Sequence, residues 1–150
     1  MSGFRFPLQR VLSWRETQLS IEETDLERLR FELTTVEKAL KDLESREGKE
    51  LEIIQFARSL QGGELAGIAS ARKWVMQERK RLQSRIVDCI RGIELKTAAL
   101  MEARRNVRLM ERLKERRQAS WTQEENRILE DLAGESAVAS WRRGQETVTG

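Results

Sequence analysis

The chain has no histidine and no tyrosine, one cysteine and one proline, and aromatics make up only 5% of its 150 residues. Each shortage excludes something. Without histidine, the commonest proton shuttle and metal ligand is missing. The lone Cys89 cannot close an internal disulfide, which fits a reducing compartment. Beyond Pro7 no residue interrupts a helix by lacking its N–H. No apolar run approaches the roughly 20 residues that span a bilayer, and the first ten residues lack the apolar stretch of a secretory signal. A cytoplasmic location is expected.

What the chain has is charge. Charged residues make up 35% of it, with a formal net charge of +3. That balance is uneven: residues 1–61 carry 10 basic and 12 acidic side chains, and residues 62–150 carry 18 and 13. Halves of opposite sign attract, which favours pairing within the chain. A sequence rich in Ala, Glu, Lys, Leu and Arg is typical of long helices, and a hydrophobic fraction of 39% feeds a narrow seam better than a broad core.

The apolar residues repeat as heptads. Leu12, Leu19, Leu26, Leu29, Leu33, Val36, Leu40, Leu43 and Ile54 share one frame, which lapses at Arg15, Glu22, Glu47 and Glu50. A second frame holds Val75, Leu82, Ile86, Cys89, Ile93, Leu100, Ala103, Val107, Met110, Trp121 and Ile128, interrupted by Lys96, Lys114 and Arg117. Between them lies Gly62-Gly63-Glu64-Leu65-Ala66-Gly67, where each glycine would cost a helix interior about 1 kcal/mol. The expected fold is all-α: a long antiparallel two-helix coiled-coil hairpin over residues 1–133. Its helices are expected at about 7–60 and 70–133, with a turn at about 61–69. Pro7 suits the first helical turn, Gly134 suits a C-cap, and residues 134–150 read as a disordered tail.

Centring the turn between Glu64 and Leu65 makes Leu26 face Ala103, Leu29 face Leu100, Val36 face Ile93 and Ile54 face Val75. It also sets Glu50 against Arg79, Arg15 against Lys114 and Leu8 against Trp121. A heptad slip would centre the turn on Gln61 or Ile68, residues less suited to a bend. The competing architecture is a parallel homodimer of rods, which the glycines and the matched seams disfavour.

No reaction is expected. Cys89 lies at a seam position, where cysteine behaves as a small hydrophobe. The acidic residues spread along solvated faces at helical spacing, and Gly62-Gly63 lacks the Lys-Ser or Lys-Thr of a phosphate loop. No metal or cofactor site is expected. Binding surfaces are a different matter. Trp14, Phe56 and Trp74 fall off the seam, with Phe31 on the outer face. Phe56, Trp74 and the neighbouring Met76 form a candidate interface near the turn, although rings lying along their own helix would explain them equally. From Arg72 to Arg117 there are 15 basic and 6 acidic residues, dense at Arg104, Arg105, Arg108, Arg112, Arg116 and Arg117. A solvated face neutralising the first helix accounts for most of this. An acidic protein partner comes next, and nucleic acid last, because no stacking aromatics are interleaved.

The two ends of the chain carry a resemblance. Phe4-Arg5-Phe6-Pro7-Leu8-Gln9-Arg10-Val11-Leu12 is followed by Trp14-Arg15-Glu16. Leu113-Lys114-Glu115-Arg116-Arg117 is followed by Leu129-Glu130-Asp131-Leu132-Ala133. In these segments, and in length and layout, the chain resembles the FliJ family of the bacterial flagellar export apparatus. The family is similar in fold to the coiled-coil gamma stalk of rotary ATP synthases. The resemblance implies a non-enzymatic stalk at the inner face of the cell membrane, at the flagellar base. Its implied partners are a hexameric export ATPase, the cytoplasmic part of the membrane export gate, and export chaperones. By position, Phe6, Leu8, Arg10, Leu12, Arg15, Arg116, Arg117 and Trp121 become candidates for the ATPase contact. Phe56, Trp74 and Met76 become candidates for the gate or chaperones. The equivalent stalk of a virulence-type secretion system, or a structural coiled-coil adaptor, would read similarly.

Overall fold

The computed structural model describes residues 3–56 and 62–148, and the side chains of all these except 53–56 and 62–65. Two helices, α1 (Gln9–Phe56) and α2 (Gly62–Val148), pack against each other as an all-α hairpin, and no strand occurs among the described residues. The hairpin divides into two compact units. One comprises Gln18–Ala103, and the other joins Met1–Thr17 to Arg104–Gly150.

Helix α1 starts as its sequence dictates. Pro7 and Leu8 form a turn, the Gln9 N–H donates to the Phe6 carbonyl at 3.1 Å, and the Leu12 N–H donates to the Leu8 carbonyl at 3.0 Å. Pro7 sits where its missing donor costs nothing. Further along, Thr24, Thr34 and Thr35 donate their hydroxyls to the carbonyl four residues back, which keeps these β-branched side chains satisfied within the helix.

In the unit spanning Gln18–Ala103, the buried side chains include Leu26, Val36, Leu43, Val75, Leu82, Cys89 and Leu100, all positions of the heptad frames. Val36, Leu43, Val75 and Leu82 form one apolar cluster with Leu40 and Ile86 packed against it. No polar or charged residue is buried among the described residues. Two helices alone have no third layer to seal the seam, so even Val36 keeps 3% of its surface.

The register differs from the expected one. Leu29 lies against Gly92, with its Cδ1 3.5 Å from where a Gly92 Cβ would be, and does not face Leu100. Arg79 pairs with Glu47 instead of Glu50. Lys96 reaches Glu22 and Asp25, each at 3.1 Å, and Arg85 reaches Glu32 at 2.8 Å. The partners are displaced in one sense, by about one to three helical turns. A heptad slip keeps every leucine on a seam position, so the period alone does not choose between the registers. The charged lapses do. Glu22 and Glu47, which interrupt the first frame, here meet Lys96 and Arg79.

The expected turn at 61–69 is corrected as well. Helix α2 begins at Gly62, so the glycine cluster opens a helix and does not break one, while Gln61 and residues 57–60 lie outside the described residues. Glycine costs least at a helix start, where it is an acceptable cap and the first N–H groups have no intrahelical partner. No described glycine has a positive φ. The earlier start of α2 agrees with the shifted register.

The tail expectation fails for a related reason. Helix α2 continues through Gly134 to Val148, with every residue from Asn126 onward exposed. Loss of the heptad ends packing but not the helix. Ala137, Ala139, Arg142, Arg143 and Gln145 are strong helix formers, and Gly134 and Gly144 cost only about 1 kcal/mol each.

Candidate functional site

The residues singled out at the chain ends belong to one unit, Met1–Thr17 with Arg104–Gly150. Here Phe6, Leu12 and Val107 are buried and Leu8 is half-buried. The Phe4 and Trp121 rings lie 6.1 Å apart at an interplanar angle of 51°, a tilted arrangement that suits aromatic quadrupoles. Lys114 Nζ donates to Gln9 Oε1 at 2.9 Å, and the Gln9 amide donates to Ser13 Oγ at 3.3 Å. The order again runs antiparallel, but Trp121 meets Phe4 where Leu8 was expected, and Lys114 meets Gln9 where Arg15 was expected.

This placement sorts the ATPase candidates. Phe6 and Leu12 are buried in the seam, where they hold this end of the hairpin together beneath the exposed residues. Arg10, Arg116 and Arg117 are exposed, and none has an acidic partner within ion-pair distance among the described residues. Arg15 is half-buried, with its guanidinium carbon 4.9 Å from the centre of the Trp14 ring, a cation–π contact that holds it along its own helix. Trp121 keeps 37% of its surface, so one side of its ring meets Phe4 and the rest is accessible.

Arg105, Arg108, Arg112 and Arg116 recur at three- and four-residue spacing on α2, forming one exposed ridge without ion pairs among the described residues. On the same helix Trp121, Ile128, Leu129 and Leu132 are exposed together. The heptad frame reached Ile128, but the last two went unnoticed as an apolar feature. The signal that would have found them is the spacing Trp121, Ile128, Leu132, which keeps to one helical face. Phe4 was likewise legible only as part of a quoted segment.

In the unit Gln18–Ala103, Trp74 and Met76 are exposed on α2, at 59% and 55% of their surface. The side chain of Phe56, at the end of α1, lies outside the described residues, as does any pairing of it with Trp74. Trp14 and Phe31 are exposed too.

Burial pushes the Cys89 thiol up, the Glu32 charge adds to this, and Arg85 opposes it. That is the reverse of what activates a nucleophilic thiolate. The Lys96 ammonium is held above the ordinary lysine range by its hydrogen bonds to Glu22 first and Asp25 second. No group of three or more Cys, Asp or Glu is disposed to hold a metal among the described residues. Nor is any helix there long and apolar enough to cross a membrane. The hollows on the far part of α2 are open troughs on the helix surface, one of 820 Å³ lined by Glu115, Thr122 and Glu130 among others. What the arrangement offers is surface: arginines, aromatic edges and one exposed apolar stripe. The chain is an all-α two-helix hairpin, and no protein-family model, curated protein or solved structure matches it.

Proposed function

We propose that this chain is a non-catalytic coiled-coil stalk of a bacterial flagellar protein-export apparatus. In this reading it binds the hexameric export ATPase and links it to the membrane export gate and to export chaperones, on the cytoplasmic side of the membrane. The observation that carries the reading is local. Phe4 and Gln9 of the first segment that resembles the FliJ family lie in one unit with Lys114 of the second, with Phe4 against Trp121 and Gln9 accepting from Lys114. That juxtaposition supports a tip built from both segments, with α2 running on past it to Val148.

Arg10, Arg116 and Arg117 would make the ATPase contact through charge, which governs orientation and encounter rate more than affinity. Leu8 and the free side of Trp121 would add apolar area, with Phe6 and Leu12 fixing the geometry beneath. Trp74 and Met76 would face the gate or a chaperone. A virulence-type export stalk would use the same surfaces; the genes neighbouring this one distinguish the two.

The test is co-purification with the candidate export ATPase, with ATP turnover measured with and without the chain. Co-elution and a changed turnover are expected, and Arg116→Glu with Arg117→Glu should reduce the change by about tenfold. Absence of both co-elution and any effect on turnover rejects the stalk reading and leaves a structural adaptor.

A further inference from the structure

The apolar face of α2 does not stop where its contact with α1 stops. In the unit Met1–Thr17 with Arg104–Gly150, the seam on α2 runs through Val107, Met110 and Trp121. Val107 is buried, Met110 half-buried, and Trp121 carries the Phe4 ring on one side. Seven and eleven residues beyond Trp121, on the same helical face, stand Ile128 and Leu132, with Leu129 at the edge. These three are exposed at 45%, 56% and 55% of their surface. A helical stripe of this composition is normally one half of a helix–helix interface.

Between Trp121 and Glu135 the charges on this face are acidic, whereas Arg117 lies on it four residues before Trp121. Glu125 lies within the stripe, and Glu124, Asp131 and Glu135 flank it. Glu124 accepts from Arg127 at 3.3 Å, but Glu125, Asp131 and Glu135 have no cationic partner among the described residues. Elsewhere in the hairpin, acids beside the seam are answered by bases on the facing helix, as Glu22 and Asp25 are by Lys96 and Glu47 by Arg79. A second copy in antiparallel pairing would bring these acids together, and like charges at a seam repel. A helix with basic flanks would answer them.

We propose that the stripe Trp121–Ile128–Leu132 of α2 is a docking site for a basic amphipathic α-helix of another protein. That helix continues the two-stranded packing of the hairpin. Its apolar residues cover Ile128, Leu129 and Leu132, and its lysines or arginines pair with Glu125, Asp131 and Glu135. This is helix-in-groove recognition with the groove half supplied by α2 itself. The site shares Trp121 with the export reading, but Ile128, Leu129 and Leu132 lie outside that contact and their docking does not require the ATPase.

The experiment uses the full chain and a fluorescein-labelled synthetic 21-residue helix whose apolar face repeats every three to four residues between flanking lysines. Control peptides carry glutamates in place of the lysines, or serines in place of the apolar face. Fluorescence anisotropy should show binding of the basic peptide at least tenfold tighter than of either control. Ile128→Ser with Leu132→Ser should weaken it at least tenfold with helix content unchanged by circular dichroism, since both side chains are exposed. Glu125→Lys, Asp131→Lys and Glu135→Lys together leave the apolar stripe intact and should switch the preference to the acidic peptide. Equal binding of the basic and acidic peptides, or indifference to these substitutions, overturns the proposal. So does concentration-dependent self-association in sedimentation that Ile128→Ser and Leu132→Ser abolish, because the face then belongs to a second copy.

Discussion

Replacing Gly92 by alanine tests the register through a single methyl group. Gly92 lies inside α2 and half-buried, and an added Cβ would sit 3.5 and 3.6 Å from the two Leu29 methyls. That is ordinary van der Waals contact, so nothing must move. Two gains add. The helix interior favours alanine over glycine by about 0.5–1 kcal/mol, much of it through the unfolded chain. A methyl placed against Leu29 adds up to about 0.8 kcal/mol, less for a position only half-covered. Gly48 is the control in the same unit: a Cβ there has nothing within 4 Å, so Gly48→Ala gains the backbone contribution alone. Gly92→Ala should therefore raise stability by about 1–1.5 kcal/mol, or a few degrees in Tm, and should exceed Gly48→Ala by about half a kcal/mol. Urea and thermal unfolding followed at 222 nm measure both. In a Leu29→Ala background the excess should vanish, because the contact is gone. If Gly92→Ala destabilises, or if its excess over Gly48→Ala survives removal of Leu29, then Leu29 and Gly92 do not face each other and the register is wrong.

Three further outcomes follow from the same packing. Leu82→Ala empties the apolar cluster beside Val36, Leu43 and Val75 and should cost about 2–4 kcal/mol in urea unfolding, whereas Leu95→Ala, at an exposed position, should stay within about 0.5 kcal/mol. Lys96 holds its proton more tightly folded than unfolded, so its contribution is fully present below the unfolded-state pKa of about 10.4 and is lost as pH rises through the higher folded value. Tm should accordingly fall across that alkaline window, and Lys96→Met should flatten the fall; an unchanged slope would remove Lys96 as its source. Cys89 is buried with its thiol pushed up, so a thiol reagent at neutral pH should label it on the order of a hundredfold more slowly in the native chain than in denaturant. Labelling at equal rates would mean the seam is open at Cys89.

Periodicity identified which face of each helix is covered, because an apolar residue at every third or fourth position has few alternatives to burial. It could not identify what lies opposite, since a seven-residue slip leaves Leu26, Val36 and Leu82 all on the seam. The register was written in residues that read as flaws: Glu22, Glu47 and Lys96 lapse from the frame because they answer charges across it. The glycine cluster misled because its cost was reckoned for a helix interior, while Gly62 and Gly63 stand at a helix start. Past Ala133 the absence of heptads does not mean absence of helix, because helix formation there needs only local propensity and no facing partner. At the candidate site the terminal segments were legible as a pair, and their meeting partners were not. The burial of Leu12 was legible from the heptad frame, whereas that of Phe6, which precedes the frame, was not.

The ion pairs of the unit Gln18–Ala103 constrain how this chain can change in length. Seven residues inserted into α1 between Val36 and Glu47 would return each later leucine to the seam, yet would draw Glu47 away from Arg79 while Glu32 stayed with Arg85. Only a matching insertion between Arg79 and Arg85 restores both. Along this stretch the two helices can lengthen or shorten only in step, and descendants of such a sequence should gain and lose their heptads in mirrored pairs.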